Sequence, residues 1–362
     1  MVKLRLIMKI VQLGDIAGVA YKLTEILLKG GNDARLLVCE PEKGRYFSLQ
    51  LQDRVDRIIY RGFQSNLKIL PKLFWNHWNS DLFHGHSMMN ILLMFTGKPY
   101  VAHFHGSDVR EVSRASTLAG FFLRRSMLRA RHVLYCTKDL EADLNRIGVE
   151  ARKRTWLPNP INLQVFRKTT SVDLPCKFKT VIFHPQRVQP VRRNDLFFRA
   201  FARIAPDYSE VGVLWVDHPS SGEHHQQMER LIRELGIRDR CELIPRIEPD
   251  RMVGFFNAVD IVADFFNREI PAVSQTILEA MCCEKPVIAA IPDDTSNYLH
   301  GSPVLAGGSV EEIEGSLRFL LERRECWPQL GRNGRKWVSR FHSFEVVQKR
   351  LEEVYRMALQ KP

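Results

Sequence analysis

Short aliphatic stretches alternate with amphipathic, helix-like stretches along the whole chain, and this alternation restricts the fold more than any other feature. Strands separated by helices cannot pair as hairpins. Each must cross over a helix to reach its neighbour, which makes the sheets mostly parallel and buries them on both faces. In the first half, residues 4–13, 34–39, 82–84, 100–105 and 133–136 read as strands, with helices such as 19–29 and 118–130 between them. In the second half, 179–183, 211–216, 241–243, 261–263 and 287–289 repeat the pattern, with an amphipathic helix at 196–204. A chain of 362 residues is long enough for two such domains, each with its own core. The stretch Leu157-Pro158-Asn159-Pro160-Ile161-Asn162 suits a hinge between them. The expected organisation is α/β, with domains at 1–165 and 166–340 and a last segment, 341–362, holding a helix over 344–359 with Val347, Leu351, Val354 and Leu359 broadly on one face.

Composition is that of a globular protein, with 45% hydrophobic and 26% charged residues. Residues 1–14 alternate Lys3, Arg5 and Lys9 with aliphatics, as a first strand does and a signal peptide does not. The apolar run at 88–95 is far shorter than the ~18 residues of a membrane span. A cytoplasmic protein is therefore expected. Seven cysteines, with no pair spaced by two residues, point to neither a disulfide framework nor a zinc knuckle. Charge is uneven: residues 1–165 hold 25 Lys/Arg against 14 Asp/Glu, a net +11, and the remainder carries the last unit of the overall +12. Arg110, Arg114, Arg124, Arg125, Arg129 and Arg131 crowd one stretch beside Phe121-Phe122-Leu123 and Met127-Leu128. Residues 68–78 add two tryptophans and a phenylalanine near lysines, a composition suited to an anionic membrane surface. The ordinary alternative is a helix at 118–130 that buries Phe121, Phe122 and Leu128 and leaves its arginines solvated. No helix-turn-helix or aromatic-basic RNA-binding motif is present, so nucleic acid is not an expected partner.

Residues 269–289 carry the clearest chemistry. Ser274 reads as the N-cap of a helix, which leaves the amides of Gln275, Thr276 and Ile277 and the positive end of the helix dipole facing an anion such as a diphosphate. Glu279, about a turn further in, can accept two hydrogen bonds from a vicinal diol. Equally, Leu278, Met281 and Cys282 can be the core stripe of an ordinary crossover helix with Glu279 solvated. Gly14-Asp15-Ile16-Ala17-Gly18-Val19-Ala20 follows the first strand and opens a helix, where amides can approach a phosphate or glycine can simply serve a tight turn. Arg187 and Arg192, five apart after a strand, can converge on one dianion or lie in solvent. His84-Gly85-His86 and His103-Phe104-His105 each place two histidines on one strand face. Such pairs can bind zinc, as in metal hydrolases, but no third and fourth ligand stands at an interpretable spacing. His105 and Asp108 fall instead at the carboxyl end of a strand, where open α/β sheets bind ligands.

In this order, the glycine turn, the His105-Gly106-Ser107-Asp108 loop, the Leu157-Pro158-Asn159 linker, the Arg187/Arg192 loop and Leu278-Glu279-Ala280-Met281 before Lys285-Pro286-Val287-Ile288 resemble the retaining family-four glycosyltransferases of the GT-B fold. That resemblance implies two Rossmann-like domains facing across a cleft and a C-terminal helix crossing back to the first domain. It implies a nucleotide diphosphate sugar as donor, a lipid-linked or saccharide acceptor, and no cofactor. Arg187 and Arg192 look like the pair on the diphosphate, and Glu279 like the ribose ligand beside Ser274, Gln275, Thr276 and Gly18. His105 looks like a sugar-positioning group, with Asp15, Asp108 and Glu269 near sugar or acceptor. The sequence departs from the family where Arg193 replaces a usual glycine, and where Pro271 stands in place of the glutamate that touches the donor sugar, followed by Ala272-Val273-Ser274 in place of Gly-Phe-Gly. Glu269 and Asp264 are candidates to substitute. No Asp-x-Asp metal motif occurs, which fits metal-independent transfer. The rival readings are a zinc-dependent hydrolase built on the His-x-His pairs and a non-enzymatic basic nucleic-acid-binding protein.

Overall fold

The computed structural model describes residues 7–40, 49–59, 71, 77–218, 221–270, 273–292 and 301–360. Lys3, Arg5, most of the lysine- and tryptophan-bearing stretch before His77, and Pro271 and Ala272 lie outside the described residues. The chain divides into two compact units, one of Met1–Pro160 with His342–Pro362 and one of Ile161–Phe341. The division after Pro160 falls within the expected hinge and a few residues before 165.

The first unit runs β1 (Lys9–Leu13), α1 (Val19–Lys29), β2 (Asp33–Glu40), β3 (Val55–Ile59), β4 (Leu82–His86), α2 (Asn90–Leu93), β5 (Tyr100–Phe104), α3 (Ser107–Arg110), α4 (Leu118–Arg129), β6 (His132–Tyr135), α5 (Leu140–Ile147) and β7 (Arg154–Trp156). The second runs β8 (Thr180–His184), α6 (Asn194–Ile204), β9 (Val211–Asp217), α7 (Gly222–Glu234), β10 (Cys241–Pro245), α8 (Met252–Ala258), β11 (Ile261–Ala263), α9 (Gln275–Cys282), β12 (Val287–Ala289), β13 (Leu305–Ala306), α10 (Val310–Glu322) and α11 (Trp327–His342). α12 (Phe344–Leu359) returns to the first unit. Each sheet is parallel throughout, in the orders β3-β2-β1-β4-β5-β6-β7 and β10-β9-β8-β11-β12-β13. Both are doubly wound, Rossmann-like sheets.

Because side chains alternate across a strand, each sheet separates two cores. In the first unit Val11, Phe83, Ala102 and Val133 face Leu123 and Met127 of α4, while Ile10, Leu82, Val101 and Leu134 face α1 and α12. α12 contributes Val347, Leu351, Val354 and Tyr355, none more than 1% exposed, so it is a core element of the first unit. In the second unit Val181, Leu214, Val262 and Val287 share a core with Leu278 and Met281 of α9, and Ile182, Val213, Ile261 and Ile288 share one with α6 and α10.

α4 corrects one expectation. Its buried stripe is Leu123 and Met127, whereas Leu118, Phe121 and Leu128 are exposed. Phe121 packs edge-on to the half-buried Phe122, which also meets the exposed Phe95. Of the six arginines crowding this stretch, Arg110 and Arg114 pair with Asp139 and Asp143, and Arg124 donates to the Ser113 carbonyl. Arg125, Arg129 and Arg131 are exposed. Among the described residues no helix is long and apolar enough to cross a membrane.

Candidate functional site

In the second unit the loops after β8 and β11 meet at the N-terminus of α9. Ser274 caps that helix, its Oγ accepting from the Ile277 amide at 3.1 Å and donating to Asp264 Oδ2 at 2.6 Å. The cap therefore uses one of the three amides expected to face an anion, and Gln275 and Thr276 are left at the open end. Glu279 is half-buried one turn in and accepts from Gln275 Nε2 at 3.2 Å. Arg192 lies over the Phe265 ring at 5.5 Å, donates to Gln186 Oε1, and keeps its buried Nε without a hydrogen-bond partner among the described residues. Arg187, five residues earlier, is exposed. The two loops are tied together by Phe266 N–H donating to the Arg192 carbonyl at 3.1 Å and Asn267 Nδ2 donating to the Val191 carbonyl at 2.9 Å. Arg193 sits at φ 55°, the left-handed conformation that favours the glycine expected there.

Glu269 and Asp264, the two candidates to replace the missing glutamate, differ sharply. Glu269 is exposed. Asp264 is completely buried, its Oδ1 finding no partner among the described residues, so it serves the helix cap and not a sugar. Burial pushes its carboxyl up to about 6, against the opposing pull of Ser274 and Arg192. A cavity of about 450 Å³ is lined by Val188, Asn194, Arg199, His224, Met228 and Arg230, and neither arginine of the expected pair nor α9 is among its lining residues.

In the first unit the glycine turn supplies its own anion. The Asp15 carboxylate accepts from the Gly18 and Ala20 amides, each at 2.8 Å, at the opening of α1. Gly18 and Asp15, expected beside the donor and acceptor, are hydrogen-bonded to each other, and a carboxylate three residues ahead of the cap satisfies orphan amides of the helix. Asp108, 4% exposed, accepts from the amides of His105, Gly106 and Val109 and shapes the turn that carries His105.

His105 is half-buried, and burial pushes its imidazole down to about 4 despite the opposing charge of Asp108. Beside it the structure assembles a cluster that sequence spacing could not reveal, with ligating atoms of His84, His86 and His103 all within 4.8 Å of one another. A hydrolytic zinc requires a coordination position open to substrate. These three rings are at most 1% exposed, His84 and His86 stack at 13°, and both nitrogens of His86 are already hydrogen-bonded. The zinc-hydrolase reading therefore loses its site. Gln12, completely buried between these histidines and Tyr355 of α12, was missed; its signal is a polar residue at an inward position two after Ile10.

The titration of Asp264 has a measurable consequence. Its folded carboxyl holds a proton more tightly than an unfolded aspartate near 3.8, so the stability it contributes is full below about pH 4 and is lost as pH rises through about 6. Asp264→Asn should match the unaltered protein in urea unfolding near pH 4 and exceed it by up to about 3 kcal/mol at pH 7. A constant difference across that range would show that the carboxyl does not titrate there.

Residues 17–165 match Glycosyltransferase Family 4, and residues 173–337 match Glycosyl transferases group 1. A D-inositol 3-phosphate glycosyltransferase of Rhodococcus opacus (strain B4) is 33% identical over 229 residues, 60% of this chain and 49% of that protein. The enzyme of the same name from Mycolicibacterium smegmatis is 34% identical over 124 residues, 32% of this chain and 26% of that one. The chain thus matches half or less of the length of these relatives. Among solved structures, Anabaena Alr3699/HepE in complex with UDP superposes with a TM-score of 0.75 at 17% identity, covering 96% of this chain and 100% of that one. Sucrose-phosphate synthase from Thermosynechococcus elongatus gives 0.74 at 16%, covering 96% and 98%. With two parallel α/β units matching these structures and both family domains in sequence, the chain belongs to the family-four glycosyltransferases of the GT-B fold.

Proposed function

We propose that the protein is a retaining glycosyltransferase that moves a sugar from a nucleoside diphosphate sugar to a lipid-linked or saccharide acceptor at the cytoplasmic face of a membrane, without a metal or other cofactor. The observation that carries this reading is the opening of α9 in the second unit, where two first-turn amides, the Glu279 carboxylate and the Arg192 guanidinium gather around the ends of β8 and β11. Helix-terminal amides and a guanidinium suit a diphosphate, and a carboxylate one turn in suits a ribose diol. The names of the relatives and the UDP held by a structural neighbour support the same donor class.

In this mechanism the acceptor hydroxyl attacks the anomeric carbon from the face that the diphosphate leaves. The bond from that carbon to the phosphate oxygen breaks as the new glycosidic bond forms, and a donor phosphate oxygen takes the hydroxyl proton. No protein base is then required, and Arg187 and Arg192 stabilise the growing negative charge on the leaving group. His105 positions the sugar. Glu269 is the accessible carboxylate available in place of the glutamate that Pro271 replaces.

Membrane contact is supported by the exposed Phe95, Leu118, Phe121 and Leu128, with Arg125 and Arg129 on the same helix as three of them. Apolar side chains that enter a headgroup layer and arginines that meet anionic lipid add in such a patch, each basic residue contributing on the order of 1 kcal/mol.

Titration with UDP, ADP and GDP should identify one that binds, and Glu279→Gln should weaken that binding by roughly 1.5–3 kcal/mol. An unchanged affinity would place the ribose elsewhere. Arg192→Ala should lower turnover more than donor affinity, while the unaltered enzyme stays active in excess EDTA; loss of activity with EDTA would end the metal-free mechanism. In sedimentation, the protein should accompany vesicles containing anionic lipid, less as salt rises, and Phe121→Ser should reduce the bound fraction. Equal partition onto neutral and anionic vesicles, or onto neither, would remove the membrane contact.

A further inference from the structure

A chain of hydrogen bonds runs through the core of the first unit from α12 to His105. Tyr355 Oη lies 2.6 Å from His84 Nδ1 and 3.1 Å from Gln12 Nε2. Gln12 Oε1 lies 2.7 Å from His86 Nε2, and His86 Nδ1 lies 3.0 Å from His105 Nε2. Gln12, His84, His86 and Tyr355 are at most 1% exposed, so water cannot supply a missing proton or lone pair.

The protons along this chain are not independent. Burial and mutual proximity hold His84 and His86 well below the usual imidazole range, and burial does the same for His105, so each ring is neutral and carries one N–H. The Gln12 amide donates through its nitrogen to Tyr355 and can only accept through its oxygen. His86 must therefore carry its proton on Nε2, which leaves Nδ1 as a lone pair. That lone pair requires the facing nitrogen of His105, Nε2, to carry the proton. On the other branch, Tyr355 accepts from Gln12 and gives its single proton to His84 Nδ1, which places the His84 proton on Nε2, a buried atom without a partner among the described residues. The opposite arrangement requires the amide to turn over and every proton in the chain to move with it.

We propose that Gln12 and Tyr355 are positioning residues that act through His86 to fix His105 in the tautomer protonated at Nε2, which leaves Nδ1 as a hydrogen-bond acceptor. Gln12 lies on β1 and Tyr355 on the C-terminal helix, so elements distant in sequence set the protonation of the β5 loop. An acceptor at Nδ1 takes a hydrogen bond from a hydroxyl and offers none to a bare carbonyl or phosphate oxygen, which deepens the sugar-positioning role proposed above and rests on it.

The test uses the full chain labelled with ¹⁵N in histidine and no ligand. Ring proton–nitrogen correlation reads the tautomer, with His105 assigned by its loss in His105→Gln. The unaltered protein should show His105 protonated at Nε2 alone. Tyr355→Phe removes one oxygen from the core and frees the Gln12 amide to turn, so both tautomers should appear. Gln12→Met should do the same, and Gln12→Glu, whose carboxylate still accepts from His86, should restore the single Nε2–H form. A merely structural role would lower the melting temperature and leave the tautomer unmoved. His105 protonated at Nδ1 in the unaltered protein, or a single Nε2–H form persisting in folded Tyr355→Phe, would overturn the proposal. Because no donor is present, failure of the sugar-positioning role would show separately, as unchanged transfer by His105→Ala.

Discussion

A parallel strand buried on both faces has no solvent side, so its two-residue period decides which core receives every side chain, polar or not. In the first unit that rule sends Ile10, Leu82, Val101 and Leu134 to the face under α12. It sends Gln12, His84, His86 and His103 to the same face, one or two steps further along the same strands. A polar group delivered there cannot retreat to water and must be satisfied by its neighbours. α12 answers that demand with Tyr355, which is buried among aliphatics yet places its hydroxyl against His84 and Gln12. The helix is therefore held by polar as well as apolar contacts, and the polar ones are directional.

The same demand separates helix openings that bind nothing from those that can bind something. At α1 and at the His105 turn, aspartates supplied by the chain accept the backbone amides, and little positive potential remains for an outside anion. At α9 the cap is a serine. Its neutral oxygen satisfies one amide and leaves those of Gln275 and Thr276 at the open end. Arg192 alongside adds a positive charge at that opening.

The fold was largely legible in sequence because its signal is local. Helix 19–29 and strands 261–263 and 287–289 match the structure to the residue, and α12 spans 344–359 as its apolar face implied. Sheet order was not legible, since it depends on which strands cross over to which, and neither were the short β3, β7 and β13, which lack a hydrophobic run of their own. Among site residues, Ser274 and Glu279 could be placed because a cap and a residue one turn on are fixed by helix geometry. Asp15, Gly18 and Asp108 were assigned outward roles, yet their oxygens and amide serve the backbone, a choice that depends on local dihedrals. The histidine cluster required the register His86 to His103 between β4 and β5, which no spacing along the chain encodes.

Arg193 shows how such geometry is held. A non-glycine residue in the left-handed region costs roughly 1–2 kcal/mol, so the loop must be fixed by more than its own preference. Three backbone contacts do this: Arg193 N–H donates to the Pro190 carbonyl, Leu196 N–H to the Arg193 carbonyl, and Phe266 N–H to the Arg192 carbonyl. The last of these crosses from the loop after β8 to the loop after β11, and Asn267 adds a second tie at Val191. Strain at Arg193 and the cross-loop bonds therefore oppose each other, and the balance sets where Arg192 projects. A guanidinium held over Phe265 by backbone bonds, with an unpaired Nε inside the protein, has lost much of the conformational freedom that an ion pair with a bound anion would otherwise remove.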